Sequence, residues 1–213
     1  MTETTYYMIT SPHTCINGCT GSGKSVLINN FLIELTTVYS PEQVRLILID
    51  PKVVDYAEWK KDKHVLMHVS TEPGIYRALE AAEKHMKKAY KTLERQGLKR
   101  SDGGHIFIII DELPTVLQSR RCADKIDSLL RLGRAANIHV ITASQDSSRS
   151  TGTPARLARN FECLIGLRCR AKIASRQAIG STGCETLPRY GYAYVICPEL
   201  TTPKLIKIPF LQR

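Results

Sequence analysis

The stretch Gly18-Cys19-Thr20-Gly21-Ser22-Gly23-Lys24-Ser25 constrains what this chain can fold into more than any other. It fits G-x-x-x-x-G-K-[ST] and lies between a short apolar run and a helical pattern. A loop of this kind must bend until successive backbone N–H groups face one anion, which its glycines permit. It must also open a helix, whose N-terminal dipole favours phosphate. In that setting Lys24 reaches the β and γ phosphates of a nucleoside triphosphate and the Ser25 hydroxyl binds Mg²⁺. The residues expected to cradle the nucleotide are Gly18, Cys19, Thr20, Gly21, Ser22, Gly23, Lys24 and Ser25.

Such a loop requires a strand behind it and a helix ahead, and the rest of the chain repeats that alternation. Strand-like apolar runs fall at residues 13–17, 44–49, 65–69, 106–110, 138–143, 163–167 and 192–197. Helical patterns occupy 26–39 and 123–136, and a third carries Ile75, Leu79, Ala82, Met86, Tyr90 and Leu93 with lysines on the opposite face. Ser40-Pro41-Glu42-Gln43 has the form of a capping box and predicts a turn into the second strand. Loops are expected at 97–104 and 144–154. Strands alternating with helices predict an α/β fold of three layers, a P-loop NTPase with a mostly parallel central sheet and helices on both faces. At 213 residues the chain has the size of one domain, read here as 1–213 with residues 1–11 as an N-terminal extension.

The segment His105-Ile106-Phe107-Ile108-Ile109-Ile110-Asp111-Glu112 runs apolar and ends in two carboxylates, the form of a Walker B strand. A buried strand would deliver Asp111 to the Mg²⁺ shell and Glu112 to the attacking water as the catalytic base. The following run, from Ile138, ends at Gln145, either a γ-phosphate sensor or a surface amide beginning a loop. Arg131 and Arg134 lie between these strands, on a helix whose Leu129, Leu130 and Leu132 are expected to face inward. Each arginine is either a finger offered to a neighbouring subunit or a plain surface residue. Asp50-Pro51-Lys52 follows the second strand and reads equally as a ligand-facing group or as a turn capped by Asp50. The six histidines show no metal-ligand spacing and are read as structural.

The 30 Lys and Arg against 20 Asp and Glu give a net charge of +10, concentrated beyond residue 50. One group is Lys84, Lys87, Lys88, Lys91, Arg95, Lys99 and Arg100; another includes Arg149, Arg156, Arg159, Arg168, Arg170, Lys172 and Arg176. Such faces suit polyanions, or serve only as solvated surface. Seven scattered cysteines form no CxxC pair and are expected to act as small core residues in a reducing compartment. No segment approaches the roughly 18 apolar residues of a membrane span. A cytoplasmic protein is expected, with membrane association only through another region or partner.

Taken together, these segments resemble the motor domain of the FtsK/SpoIIIE DNA translocase family. The residues that carry the resemblance are 18–30 (GCTGSGKSVLINN), 44–52 (VRLILIDPK), 106–113 (IFIIIDEL), 131–145 (RLGRAANIHVITASQ), Ser175-Arg176 and 183–187 (GCETL). The resemblance implies a RecA-like fold in a homo-oligomeric ring, usually a hexamer, with ATP and Mg²⁺ between subunits and double-stranded DNA through the centre. It adds Val26 to the nucleotide-binding set, keeps Lys24, Ser25, Asp111, Glu112 and Gln145 in the roles above, and makes Arg134, with Arg131 second, a trans-acting finger. The implied activity is ATP hydrolysis driving DNA in chromosome partition or conjugative transfer. Type VII secretion ATPases share these motifs, so a motor moving polypeptide is the alternative. The chain departs from the family in Ser144-Gln145-Asp146-Ser147, where Thr-Gln-Arg-Pro is frequent, and in length, which is that of an excised or reduced motor core.

Overall fold

Helices and strands follow one another along the chain as α1 (Glu3–Thr10), β1 (His13–Gly18), α2 (Lys24–Val38), β2 (Val44–Ile49), β3 (Val65–Val69), α3 (Glu72–Gln96), β4 (His105–Ile110), α4 (Leu113–Val116), α5 (Arg120–Leu132), β5 (Ile138–Gln145), α6 (Ala155–Ala158), β6 (Cys163–Gly166), α7 (Lys172–Ile179), β7 (Tyr192–Ile196) and β8 (Lys204–Lys207), alternating except at β2–β3, α4–α5 and β7–β8. The computed structural model describes residues 1–53, 55–145 and 154–212. Asp146, Ser147 and Arg149, with most of the expected 144–154 loop, lie outside them. β1 is buried at every residue, and β2, β4 and β5 at all but one. Burial without alternation means that both faces of these strands are covered, as in parallel α/β sheets.

The chain divides into two compact units, Tyr39–Ile141 and Met1–Val38 with Thr142–Arg213; β5 runs across the division. In Tyr39–Ile141, β2 lies between β3 and β4 and is parallel to both. Its register with β4 runs from Val44 opposite His105 to Ile49 opposite Ile110, so the residues that follow, Asp50 and Asp111, emerge side by side. α3 buries Ile75, Ala78, Leu79, Ala82 and Met86 at helical spacing, and α5 buries Cys122, Ile126, Leu129 and Leu130. Each fully buried Leu or Ile here contributes roughly 1.5–3 kcal/mol. Leu132 does not face inward as expected: it is 45% exposed. It falls about 100° from the face that Cys122, Ile126, Leu129 and Leu130 define. The expected helix through 136 also stops at Leu132, and a 3₁₀ turn, Gly133–Ala136, follows. The predicted 97–104 loop is pinned by Asn137, whose Nδ2 donates to the carbonyls of Ser101 (3.0 Å) and Gly103 (2.9 Å). His105 and His139 share a 2.9 Å ring-nitrogen contact beside Phe107. Burial, then the Arg100 charge, lowers the pKa of His105.

In the other unit β1 pairs parallel with β6, from Thr14 opposite Cys163 to Asn17 opposite Gly166; β7 is antiparallel to β6, and β8 to β7. α7 and the 3₁₀ turn after it, Cys184–Thr186, pack so close to β6 that a Cβ on Gly166 would stand 2.7 Å from Ile179 Cγ2 of the helix and 2.5 Å from Cys184 Sγ of the turn. α1, in the segment read as an extension, buries Thr4, Thr5, Tyr7 and Met8. The Glu34 carboxylate of α2 accepts the Thr2 N–H at 2.8 and 3.0 Å, and Lys204 of β8 pairs with Glu3. Six of the seven cysteines are buried, and Cys19 is half-buried. Among the described residues no helix is long and apolar enough to cross a membrane.

Glu83 links α3 to α5: its Oε2 lies 2.7 Å from Lys125 Nζ and 2.9 Å from Lys87 Nζ. The Lys125 hydrogen bond, outweighing burial and aided by Lys87, pulls the Glu83 pKa down to about 2. A carboxylate lowered on folding stabilises the native state above its unfolded pKa, and that stabilisation is lost as pH falls toward the folded value. Glu83→Gln is expected to cost about 1 kcal/mol at pH 7 after allowance for solvent screening of the lysines. In denaturant titrations the gap from wild type should close between roughly pH 5 and pH 2; a gap that persists at low pH would exclude this ion pair as its cause.

Candidate functional site

The loop after β1 has the backbone that an anion cradle needs. Gly21 and Gly23 take φ of +70° and +101°, values that side chains with a Cβ adopt only at a cost. The loop is tied down by Cys19 N–H donating to the Arg168 carbonyl (2.8 Å) and Ser22 N–H donating to the Cys19 carbonyl (3.1 Å). The Leu27 N–H returns to the Gly23 carbonyl at 3.0 Å in the first turn of α2, so the N–H groups of Lys24, Ser25 and Val26 belong to the turn that an α-helix leaves without internal acceptors. Lys24 is buried, and its ammonium sits within the loop, donating to the carbonyls of Gly18 (2.7 Å) and Cys19 (3.0 Å). A Cβ on Gly18 would meet Ser22 Oγ at 2.7 Å and Leu167 Cβ at 2.9 Å. These features fit a polyphosphate: N–H groups without internal acceptors at a helix start, one buried ammonium, and glycines at the positive-φ positions of the bend. At the end of β5, Gln145 is joined to this loop, its Oε1 accepting the Thr20 hydroxyl at 2.8 Å.

In Tyr39–Ile141, β2 and β4 release acidic residues side by side. Asp50 is fully buried and spent on its turn: Oδ1 accepts the N–H groups of Lys52 (3.1 Å) and Val53 (3.0 Å), and Oδ2 that of Asp55 (3.2 Å). The capped-turn reading of Asp50 is therefore the observed one. His68 Nε2 stands 4.0 Å from the same carboxylate. Asp111 is buried beside this turn, and burial, followed by the charge of Asp55, raises its pKa to about 6. A buried carboxyl pushed up by burial and neighbouring acids is one that a divalent cation would relieve. Among the described residues no three His, Cys, Asp or Glu groups form a cage of their own. Mg²⁺ typically takes one or two carboxylates together with phosphate oxygens, which Asp111 suits.

Glu112 is held in the left-handed region, at φ +59°, and its Oε2 lies 3.0 Å from Lys52 Nζ. Burial works against the Lys52 charge, but the Glu112 hydrogen bond and the negative charges of Glu112, Asp111 and Asp55 raise its pKa. Arg131 points along α5 to Asp127 (3.3 Å), and Arg134 is exposed in the 3₁₀ turn beyond.

The FtsK/SpoIIIE family model matches residues 3–119. The chain belongs to the FtsK/SpoIIIE family. It is similar to the DNA translocase FtsK of Agrobacterium fabrum, with 30% identity over 223 residues covering 83% of this chain and 25% of that protein. The chain spans about a quarter of the length of the curated relatives it matches. Among solved structures it is similar to the pCW3 conjugation coupling protein TcpA with ATPγS, at TM-score 0.81 and 21% identity, covering 94% of this chain and 60% of that one. It is also similar to the cytoplasmic domain of the type VII secretion ATPase EccC of Thermomonospora curvata, at TM-score 0.80 and 23% identity, covering 93% and 25%. The fold is the one shared by these ATPases.

Two features of this FtsK/SpoIIIE member escape a motif search. The Tyr56 hydroxyl is fully buried and without a hydrogen-bond partner among the described residues; burial, then the charges of Asp111, Asp55 and Asp50, raises its pKa well above that of a free phenol. Only its place a few residues after the second strand could have flagged it. Arg189 lies next to the phosphate loop, Nη2 3.5 Å from where a Cβ on Gly21 would be, with nothing in the surrounding sequence to single it out.

A non-glycine residue at positive φ costs about 1 kcal/mol or more, whereas a partly exposed ion pair such as Lys52–Glu112 returns roughly half that. Glu112→Gly is therefore expected to unfold at the wild-type denaturant concentration or above it, a gain of up to about 1 kcal/mol. A loss of stability would mean that the ion pair outweighs the backbone strain.

Proposed function

We propose that this chain is the motor core of an ATP-driven translocase of double-stranded DNA, a single RecA-like domain acting in the cytoplasm as a homo-oligomeric ring, six subunits in expectation. The reading is carried by the loop geometry at Gly18–Ser25, a bend with glycines at positive φ around a buried Lys24 ammonium, in a member of the FtsK/SpoIIIE family. Lys24 holds the β and γ phosphates of ATP, Ser25 and Asp111 hold Mg²⁺, and Val26 follows the loop along the bound nucleotide. Glu112, held in place by its ion pair with Lys52, polarises the attacking water. Gln145, steadied by the Thr20 hydroxyl, senses the γ-phosphate. Arg134, or in its place Arg131, is the finger supplied to the next subunit. DNA is favoured over polypeptide as the cargo because the curated relatives at about 30% identity carry the name DNA translocase, whereas the likeness to the secretion ATPase is one of fold.

Lys24→Ala is expected to abolish nucleotide binding or turnover. Glu112→Gln should retain ATP while hydrolysis falls by roughly three orders of magnitude, as removal of a water-activating base requires; normal turnover in that variant would refute the assignment. Duplex DNA should stimulate ATP hydrolysis at low salt, with the stimulation falling steeply as salt rises. Stimulation by a secreted peptide, with none by DNA, would assign the chain to secretion.

A further inference from the structure

A pocket of about 230 Å³ opens beside the phosphate loop, lined by Gly23 and Val26 on one side and by Tyr190, Ile208, Pro209 and Phe210 on the other. Its second wall is built by the antiparallel pairing of β7 with β8. That ladder sets Tyr192 opposite Lys207 and continues one step further, Ile208 N–H donating to the Gly191 carbonyl at 2.9 Å. Tyr190, just before β7, and the tail just after β8 are therefore carried to the same place. Asn30 fixes that tail to the helix that begins at the phosphate loop. It is 4% exposed and lies one turn beyond Val26 on the same face of α2. Its Nδ2 donates to the Pro209 carbonyl at 2.7 Å and its Oδ1 accepts the Leu211 N–H at 3.1 Å. Burying an amide is costly unless both of its ends are satisfied, and here both are spent on the tail.

Two large rings stand exposed at this pocket, Tyr190 at 58% and Phe210 at 72%, and neither contributes to the core. The Arg189 guanidinium lies over the Tyr190 ring, 5.2 Å from its centroid, as well as near Gly21. The 189–190 segment thus links the phosphate loop to the apolar pocket.

We propose that this pocket takes the nucleobase of the bound nucleoside triphosphate, with Tyr190 and Phe210 as its stacking surfaces and Val26 and Ile208 as its apolar wall. The assignment rests on the nucleotide reading of Gly18–Ser25. Of the lining side chains, only the Tyr190 hydroxyl can hydrogen-bond a base edge, so recognition is by ring face. Adenine and guanine are accepted alike, and the smaller pyrimidine rings less well.

Equilibrium binding with Mg²⁺ to the whole chain tests this, using ATP, GTP, CTP and inorganic tripolyphosphate as probes. Tyr190→Ala and Phe210→Ala should each weaken ATP by about fivefold or more, the loss of one stacked ring, and leave tripolyphosphate within about twofold. Phe210→Trp should restore ATP, and Asn30→Ala, which releases the tail, should weaken ATP in the same sense. In the wild type, ATP and GTP should bind within about fivefold of each other and CTP more weakly. Equal losses of ATP and tripolyphosphate, or ATP unchanged in both alanine variants, overturn the nucleobase site while leaving the phosphate loop standing. A wild-type chain that binds neither ATP nor tripolyphosphate overturns both.

Discussion

A strand covered on both faces leaves its chain only one place to present polar chemistry, the end of the strand. β1, β2, β4 and β5 are all nearly fully buried, and each is followed by or ends in a group of functional interest: the phosphate loop, Asp50, Asp111 with Glu112, and Gln145. The apolar length behind each group is what makes it rigid, since moving it would shift a close-packed strand. The same burial sets the chemistry, because it is the largest contribution to the raised Asp111 pKa. Packing and electrostatics are therefore not separable at Asp111.

Backbone strain is distributed unevenly around these groups. The phosphate loop uses glycine at its two positive-φ positions, where the bend itself is the requirement. After β4 the left-handed position is held by Glu112, where a carboxylate is required, and after β2 by Val53, whose N–H is drawn to Asp50. Lys52 lies between these two strained residues and bonds to one of them. Glu112 thus stands at the meeting point of two turns, and its position depends on both.

Much of this was legible in the residues themselves. Seven strands follow from apolar runs bounded by turn residues, and G-x-x-x-x-G-K-[ST] and the Asp111-Glu112 strand end locate the two groups of candidate residues. What stayed hidden shares a physical cause, the lack of a periodic apolar signal. α1 buries two threonines beside Tyr7 and Met8, and β8 is a Lys-Leu-Ile-Lys edge strand with one buried residue, a form that resists further pairing. The 208–211 tail is held by an asparagine 181 residues away in sequence, which no local pattern encodes. Leu132 was misread because three leucines in four residues cannot all face one side of an α-helix.

The distribution of thiols has a practical consequence. Of the seven cysteines, six are enclosed, two of them with their pKa raised to about 12 at Cys163 and about 11 at Cys197, chiefly by burial. Cys19 alone is partly open to solvent, and its backbone carbonyl accepts the Lys24 ammonium. In the folded protein a thiol-selective reagent meets one residue ahead of the others, and that residue forms part of the phosphate loop. The chain thus carries its own labelling position at the place where ligand occupancy would alter access, and it reports on that loop without an engineered substitution.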